Sequence, residues 1–361
     1  MDYENFKESF TEALQEDLYG KGIEARFDMK SVEKLNNEGY DAVTITPADS
    51  NIGVTLNVEA FYKAHEDGAT MDEVVAKASD TVIRGFDNQP AIDVASLTDY
   101  DQMKDKLIME VVSTEANADM LANVPHKEME DMSVVYRFVI DSNDDGRATI
   151  LATNNMIEAM GVTPEQLHED ALKNAPELKP AVITGMSEVM AEMMGMSPEE
   201  MAMMGMPTDP ADEQMFVATV PDKIHGAGVL AYQDFMDQAA ERVGGSFYIL
   251  PSSLHEVLLV PDNGQMSLHD LESMVREVNA TQVAPEDKLT DNVYHYDAEA
   301  KVFELGEKFV EREAAKDSVE KSEEKSSVLG DLKAKKEEVA KQPKKDAVDK
   351  AVNKNKGGDA I

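Results

Sequence analysis

Ser252, Ser253, His255 and Glu256 lie within five positions, and their side chains can do chemistry. A serine becomes a nucleophile when an imidazole within hydrogen-bond reach takes its proton and a third group orients that imidazole. In an extended segment, alternation puts Ser253 and His255 on one face and Glu256 on the other. Glu256 therefore cannot orient His255 locally; a carboxylate from elsewhere in the chain must. There is no G-x-S-x-G elbow, and the H-E-x-x-H zinc pattern fails because position 259 is leucine. Two readings stand side by side. Either turn serines and an edge histidine satisfy backbone groups, or a hydrolase or small-ligand site joins residues 252–256 to Asn279 and Thr281. The candidate binding residues are Ser252, Ser253, His255, Glu256, Asn279 and Thr281, and none is assigned a catalytic role.

Two other stretches carry distinctive side chains. Asp141, Asn143, Asp145 and Gly146 follow the start of a calcium loop, but Ala152 stands where the bidentate glutamate belongs, and strand-like runs flank the turn. It reads as an acidic hairpin. Residues 186–206 hold nine of the 23 methionines, broken by Gly195 and Pro198 into two short helical pieces. Methionine faces are soft and suit adaptable partner grooves as well as ordinary helical hairpins. Thioethers also suit Cu(I), yet no cysteine or histidine stands near them. The seven histidines show no ligand spacing, though His225, His269 and His295 could approach in space. No Walker loop, Rossmann glycine pattern or kinase signature occurs. No metal and no cofactor is therefore expected.

The elements that must position these residues are legible from periodicity. Phe247–Leu250 and Val257–Val260 are β-prone runs, separated by Pro251-Ser252-Ser253 and ended by Pro261-Asp262-Asn263-Gly264. Leu268, Leu271, Met274, Val275 and Val278 follow at helical spacing behind Ser267 and Asp270. Upstream, Phe6, Phe10, Leu14 and Leu18 predict an amphipathic helix. Strands are expected at 23–29, 40–46 and 52–58, and helices at 59–67 and 70–86, the latter with Thr70 and Glu73 as a capping box. Leu107–Val112 fits strand and helix equally. Strands are expected at 134–140, 147–153, 215–220, 228–232, 293–296 and 302–305, with helices at 154–160, 163–174 and 233–243. The fold class is α+β: mixed, largely antiparallel sheets with covering helices. The expected division is a helix and small-sheet subdomain at 1–90, a main domain at 91–306 that carries the methionine hairpin 186–206, and a charged tail at 307–361. The tail is poor in large apolar residues, so it is expected to be disordered or a single solvated helix.

Charge narrows the function classes. The net charge is −38, but residues 307–361 hold 14 basic and 13 acidic residues, leaving 20 basic and 59 acidic residues in the body. Such a body repels phosphate backbones and anionic membranes, so direct nucleic-acid binding is not expected. The absence of cysteine excludes disulfides and thiolate chemistry and fits a cytoplasmic location. MDYENFKESF lacks the basic and apolar regions of a signal peptide, and no apolar run is long enough to span a membrane.

The segments YRFVIDSNDDGRATILATNNMIEAMGVTPEQLHEDALKNAPEL, HGAGVLAY, FYILPSSLHEVLLVPD and REVNATQVAPEDKLTDNVYHYD resemble an uncharacterised domain-of-unknown-function family. That family occurs mainly in anaerobic gut bacteria, often near mobile genetic elements. The resemblance covers about residues 1–305. It implies a bacterial cytoplasmic protein and brings no activity, cofactor or catalytic residue. Three function classes follow. The first is a non-enzymatic interaction protein, linked to mobile elements, whose protein partner docks through residues 186–206. The second is the hydrolase or ligand binder centred on residues 252–256. The third is an acidic nucleic-acid mimic.

Overall fold

Every fourth residue from Phe6 to Leu18 is large and apolar, so a helix there has one greasy stripe, and helix α1 (Tyr3–Gly20) buries all four. The computed structural model describes residues 1–33, 35–37, 39–48, 50, 52–88, 96–143, 146–207, 212–251 and 253–316. Strands β1 (Ala25–Glu33), β2 (Gly39–Pro47) and β3 (Val54–Asn57) form an antiparallel sheet in that order. Helices α2 (Val58–Glu66) and α3 (Met71–Asp87) follow. The expected capping box opens α3: the Thr70 hydroxyl accepts from the Glu73 N–H, and Glu73 accepts from the Thr70 N–H. The α1 stripe, Val43, Ile45 and Leu56 of the sheet, and Val74, Ala78 and Val82 of α3 share one core.

A second core is built from two antiparallel sheets. After the short helix α4 (Tyr100–Met103) comes β4 (Leu107–Ser113), then α5 (Ala118–Leu121), β5 (His126–Met129), β6 (Met132–Asn143) and β7 (Gly146–Leu151). β6 is the centre of this sheet and pairs with β4, β5 and β7. The ambiguous run 107–112 is a strand. It is buried in every residue but the last and is covered by a helix and by a buried 3-10 segment, which is why its pattern is continuous rather than alternating. The covering helix is α7 (Pro164–Leu178), preceded by α6 (Asn154–Met160).

The second sheet comprises β8 (Val182–Gly185), β9 (Phe216–Thr219), β10 (Phe247–Leu250), β11 (Val257–Pro261), β12 (Tyr294–Asp297) and β13 (Val302–Leu305), with helices α8 (Met186–Met194), α9 (Pro198–Met203), α10 (Phe235–Val243) and α11 (Leu268–Thr281) between them. Its order is β13-β12-β10-β11-β9-β8. β10 and β11 pair antiparallel in the middle, Phe247 opposite Pro261 and Leu250 opposite Leu258. Apolar residues of both sheets, from Tyr136 and Phe138 to Phe247 and Leu259, belong to one core. The fold is α+β with antiparallel sheets and covering helices.

One expectation is corrected. Residues 228–232 are not a strand; Gly226–Ala231 is a buried 3-10 helix. Its glycines explain why. A Cβ on Gly226 would lie 2.2 Å from the His255 carbonyl oxygen, and one on Gly228 would lie 2.5 Å from that of Met109. The segment threads between β4 and the loop before β11 at backbone contact, where it has no room to pair as a ladder. The turn residues Asp144 and Asp145, Ser252, and tail residues 317–361 lie outside the described residues. Met1–Glu307 forms one compact unit, and the described residues that follow, 308–316, are helical. Among the described residues, no helix is long and apolar enough to cross a membrane.

Candidate functional site

Three loops converge around His255, and backbone hydrogen bonds fix each of them. Leu254 N–H donates to the Asp287 carbonyl at 2.8 Å, and Ala227 N–H donates to the Leu254 carbonyl at 3.0 Å. The 253–255 segment is thus held between the loop that begins the 3-10 helix and the short 3-10 turn Pro285–Asp287. A third piece clasps that turn from the first sheet. Asn36, at the tip between β1 and β2, donates its side-chain amide to the carbonyls of Pro285, Glu286 and Lys288 and forms a reciprocal pair with Asn117.

The polar chain these loops create begins on β4 and β6. Glu110 is buried and accepts the Arg137 Nε–H at 2.7 Å; Arg137 also donates from Nη1 to Thr149 at 3.2 Å. His225 Nδ1 lies 3.4 Å from the same Glu110 oxygen and is buried with no hydrogen-bond partner among the described residues. The His225 backbone is left-handed, with φ of 52°, and so is Lys223 with φ of 53°, a conformation that costs a residue with a side chain about 1 kcal/mol or more. Lys179 donates to the Ile224 carbonyl and lies near Asp222, which pins this loop. The His225 N–H donates to His255 Nδ1 at 3.2 Å, and the two rings stand edge to face with centroids 5.6 Å apart. Because Nδ1 accepts, the neutral His255 carries its proton on Nε2, 3.2 Å from Asp287 Oδ1. Burial holds the His225 imidazole below the ordinary value of 6.5; Glu110 opposes this, and Arg137, His255 and Lys179 reinforce it. A cleft of about 560 Å³ opens at the chain, with Arg137, His225, Leu254 and Asp287 in its wall.

The residues singled out from sequence divide on this frame. His255 is in the chain. The Ser253 hydroxyl accepts the His255 N–H at 3.0 Å, as a turn serine does, and the two imidazole nitrogens of His255 are directed elsewhere. Glu256 is exposed and has no partner among the described residues. Asn279, at the end of α11, donates to the Thr290 carbonyl and to Asp291, both at 2.7 Å. Thr281 is exposed and donates to the Glu277 carbonyl one turn back. Neither Asn279 nor Thr281 lines the cleft. His295 sits apart, 3.0 Å from Asp262, and His269 is exposed. Among the described residues, no group of three or more acidic or histidine side chains could hold a metal ion. Sequence reasoning missed Glu110, Arg137 and Asp287, and it grouped His225 with His269 and His295 rather than with His255. The signal for the first two was present: one charge, of opposite sign, in each of the apolar runs 107–112 and 134–140.

A second surface stands out on α8 and α9. Glu213, itself buried, caps α8 by accepting the Ser187 N–H at 3.1 Å together with the Ser187 hydroxyl. Met201 and Ala191 are buried, while Met193 and Met203 are 83% and 87% exposed, and Met190, Met194 and Met204 are exposed with them.

The family described as DUF5688, a family of unknown function, matches residues 3–298. The chain belongs to it. No curated protein and no solved structure matches the chain. The DUF5688 match takes in both cores, the histidine cleft and the methionine hairpin, so both surfaces lie within its span.

Proposed function

We propose that this DUF5688 protein is a non-enzymatic interaction module that docks a basic amphipathic helix on its methionine hairpin. The observation that carries the reading is a concentration of exposed apolar side chains. Of the eleven large apolar side chains exposed among the described residues, five lie between Met190 and Met204. Isolated exposed apolar residues need no explanation, whereas a clustered set marks an interaction surface. Thioether chains with several rotatable bonds adapt to varied apolar faces. The hairpin's charges are all acidic: Glu188, Glu192, Glu199 and Glu200, with no Lys, Arg or His from 186 to 206. Within a strongly anionic body this selects a partner with basic flanks.

Fully burying a methionine side chain gives about 1.5–3 kcal/mol. Half-burial of five gives about 4–8 kcal/mol gross, from which association and ordering subtract several, so binding at micromolar strength or weaker is expected. The inferred setting is a bacterial cytoplasm near mobile elements, as the resemblance implies. The test is fluorescence anisotropy with a labelled peptide carrying leucine and lysine at helical spacing. Saturable binding that weakens with salt, and drops about tenfold or more when Met193 and Met203 are both changed to Gln, is the expected result. Equal affinity for a leucine–glutamate peptide, or no effect of the double substitution, would sink the proposal.

A further inference from the structure

The histidine cleft is independent of the methionine hairpin, and its charges are arranged for a ligand. We infer that it binds a small zwitterion with an apolar body, of the amino-acid class, and that His225 takes up a proton when it does.

The argument starts from the unpartnered nitrogen. His225 Nδ1 is buried 3.4 Å from Glu110 Oε2 and makes no hydrogen bond among the described residues. A neutral imidazole has one N–H, so it cannot donate both to Glu110 and to an anionic group in the cleft; an imidazolium donates from both nitrogens. Glu110 is already shared with Arg137, and together they are neutral. Protonating His225 alone would leave an extra positive charge in a site where burial already disfavours it. A ligand carboxylate cancels that charge. The guanidinium offers it a second anchor, because Arg137 Nε and Nη1 are engaged but Nη2 has no partner among the described residues. The bound state is then a neutral group of two cations and two carboxylates, with the orphan Nδ1–H directed at Glu110.

The cleft wall also excludes a simple anion. Asp119, Glu286 and Asp287 line it beside Arg137 and His225. These carboxylates repel a bare carboxylate and attract an ammonium on the same molecule. Between the polar groups the wall is apolar, with Leu35, Met120, Val124, Leu151 and Leu254. A volume of about 560 Å³ is in the range of small-molecule sites.

Isothermal titration of the full-length protein near neutral pH, in two buffers of different ionisation heat, tests the inference. L-leucine is the probe. Saturable binding with net uptake of about one proton is expected, weakening as pH rises. 4-Methylpentanoate, which lacks the ammonium, and 3-methylbutylamine, which lacks the carboxylate, should each bind at least about tenfold more weakly. His225→Asn, chosen because asparagine tolerates the left-handed backbone, should abolish the proton uptake. If that variant does not fold, Asp287→Asn at the half-buried rim should weaken L-leucine and leave 4-methylpentanoate unchanged or tighter. No saturable binding of any probe, tight binding of the amine alone, or undiminished proton uptake in a folded His225→Asn protein would each overturn the inference.

Discussion

Gly226→Ala is the most direct test of how the site is assembled. The backbone there has ordinary φ, so the substitution adds no conformational strain of its own; the effect is steric. The new Cβ would sit 2.1 Å from the Thr219 hydroxyl oxygen and 2.2 Å from the His255 carbonyl oxygen, and the Thr219 Cα is 3.0 Å away. A side-chain hydroxyl can rotate aside, but a carbonyl fixed before β11 and a backbone Cα cannot. Relieving such overlap in a packed interior costs about 1–3 kcal/mol. The Thr219 hydroxyl also donates to the His255 carbonyl at 2.7 Å, and losing that bond adds about 1 kcal/mol. With about 2.1 cal/mol/K of unfolding entropy per residue, the unit Met1–Glu307 loses roughly 1 °C of melting temperature for each 0.6 kcal/mol. A drop of about 3–6 °C follows, read by circular dichroism. Gly20→Ala is the control, since nothing lies within 4 Å of its Cβ and its φ is not positive; it should be neutral or slightly stabilising. Melting of Gly226→Ala within about a degree of the wild type would refute the close approach of the 3-10 helix to the 255 carbonyl.

Other outcomes follow from the same geometry. Val257→Asp places an unpaired charge at a fully buried position in the middle of the six-stranded sheet and should cost several kcal/mol, seen as a collapse of the denaturant midpoint. Glu213→Ala removes the buried cap of α8 and should cost about 1–2 kcal/mol, with faster limited proteolysis between residues 186 and 206 as the local readout. Stability should also fall as pH drops below about 6.5. Burial holds His168, His225 and His295 below that ordinary value, Lys127 adding to it at His168 while Asp262 opposes it at His295. The unfolded chain therefore takes up protons first, so their stabilisation is complete above about pH 6.5 and declines as pH falls toward the folded values. The slope is up to about 1.4 kcal/mol per pH unit for each histidine. Asp41, which Lys7 holds below the ordinary 3.8, acts only in a lower window. Melting curves from pH 8 to 5 should show the loss, and His295→Gln should flatten it.

Most of the fold was legible because local signals agreed with global placement. The stripe of α1, the capping boxes at Thr70 and Ser267, and the paired runs of β10 and β11 each state one answer in sequence, and tertiary packing does not contest it. Leu107–Val112 was undecidable because cover from a helix and from the 3-10 segment erases the alternation that marks a half-solvated strand. Residues 226–231 misled for a related reason. Val229 and Tyr232 look β-prone in isolation, which suggested a strand at 228–232, but Gly226 and Gly228 are there to admit neighbouring backbones, a requirement set by residues far off in sequence.

The site shows the same limit more sharply. His255 was found because its neighbours Ser253 and Glu256 drew attention to it, yet its working partners are the His225 backbone and Asp287, each about 30 residues away along the chain. The turn that carries Asp287 is held to the 253–255 segment by the Leu254 N–H and is clasped from the other side by Asn36, a contact spanning some 250 residues. No spacing rule can propose that pairing. What could have been read is the cost: a lone Glu110 and a lone Arg137 in the otherwise apolar runs 107–112 and 134–140 are expensive unless they meet, so their meeting was implied once β4 and β6 were taken as neighbours. A buried charge pair with a half-satisfied histidine beside it is where a fold that elsewhere minimises conflict has kept one, and the inferred ligand chemistry starts from that place.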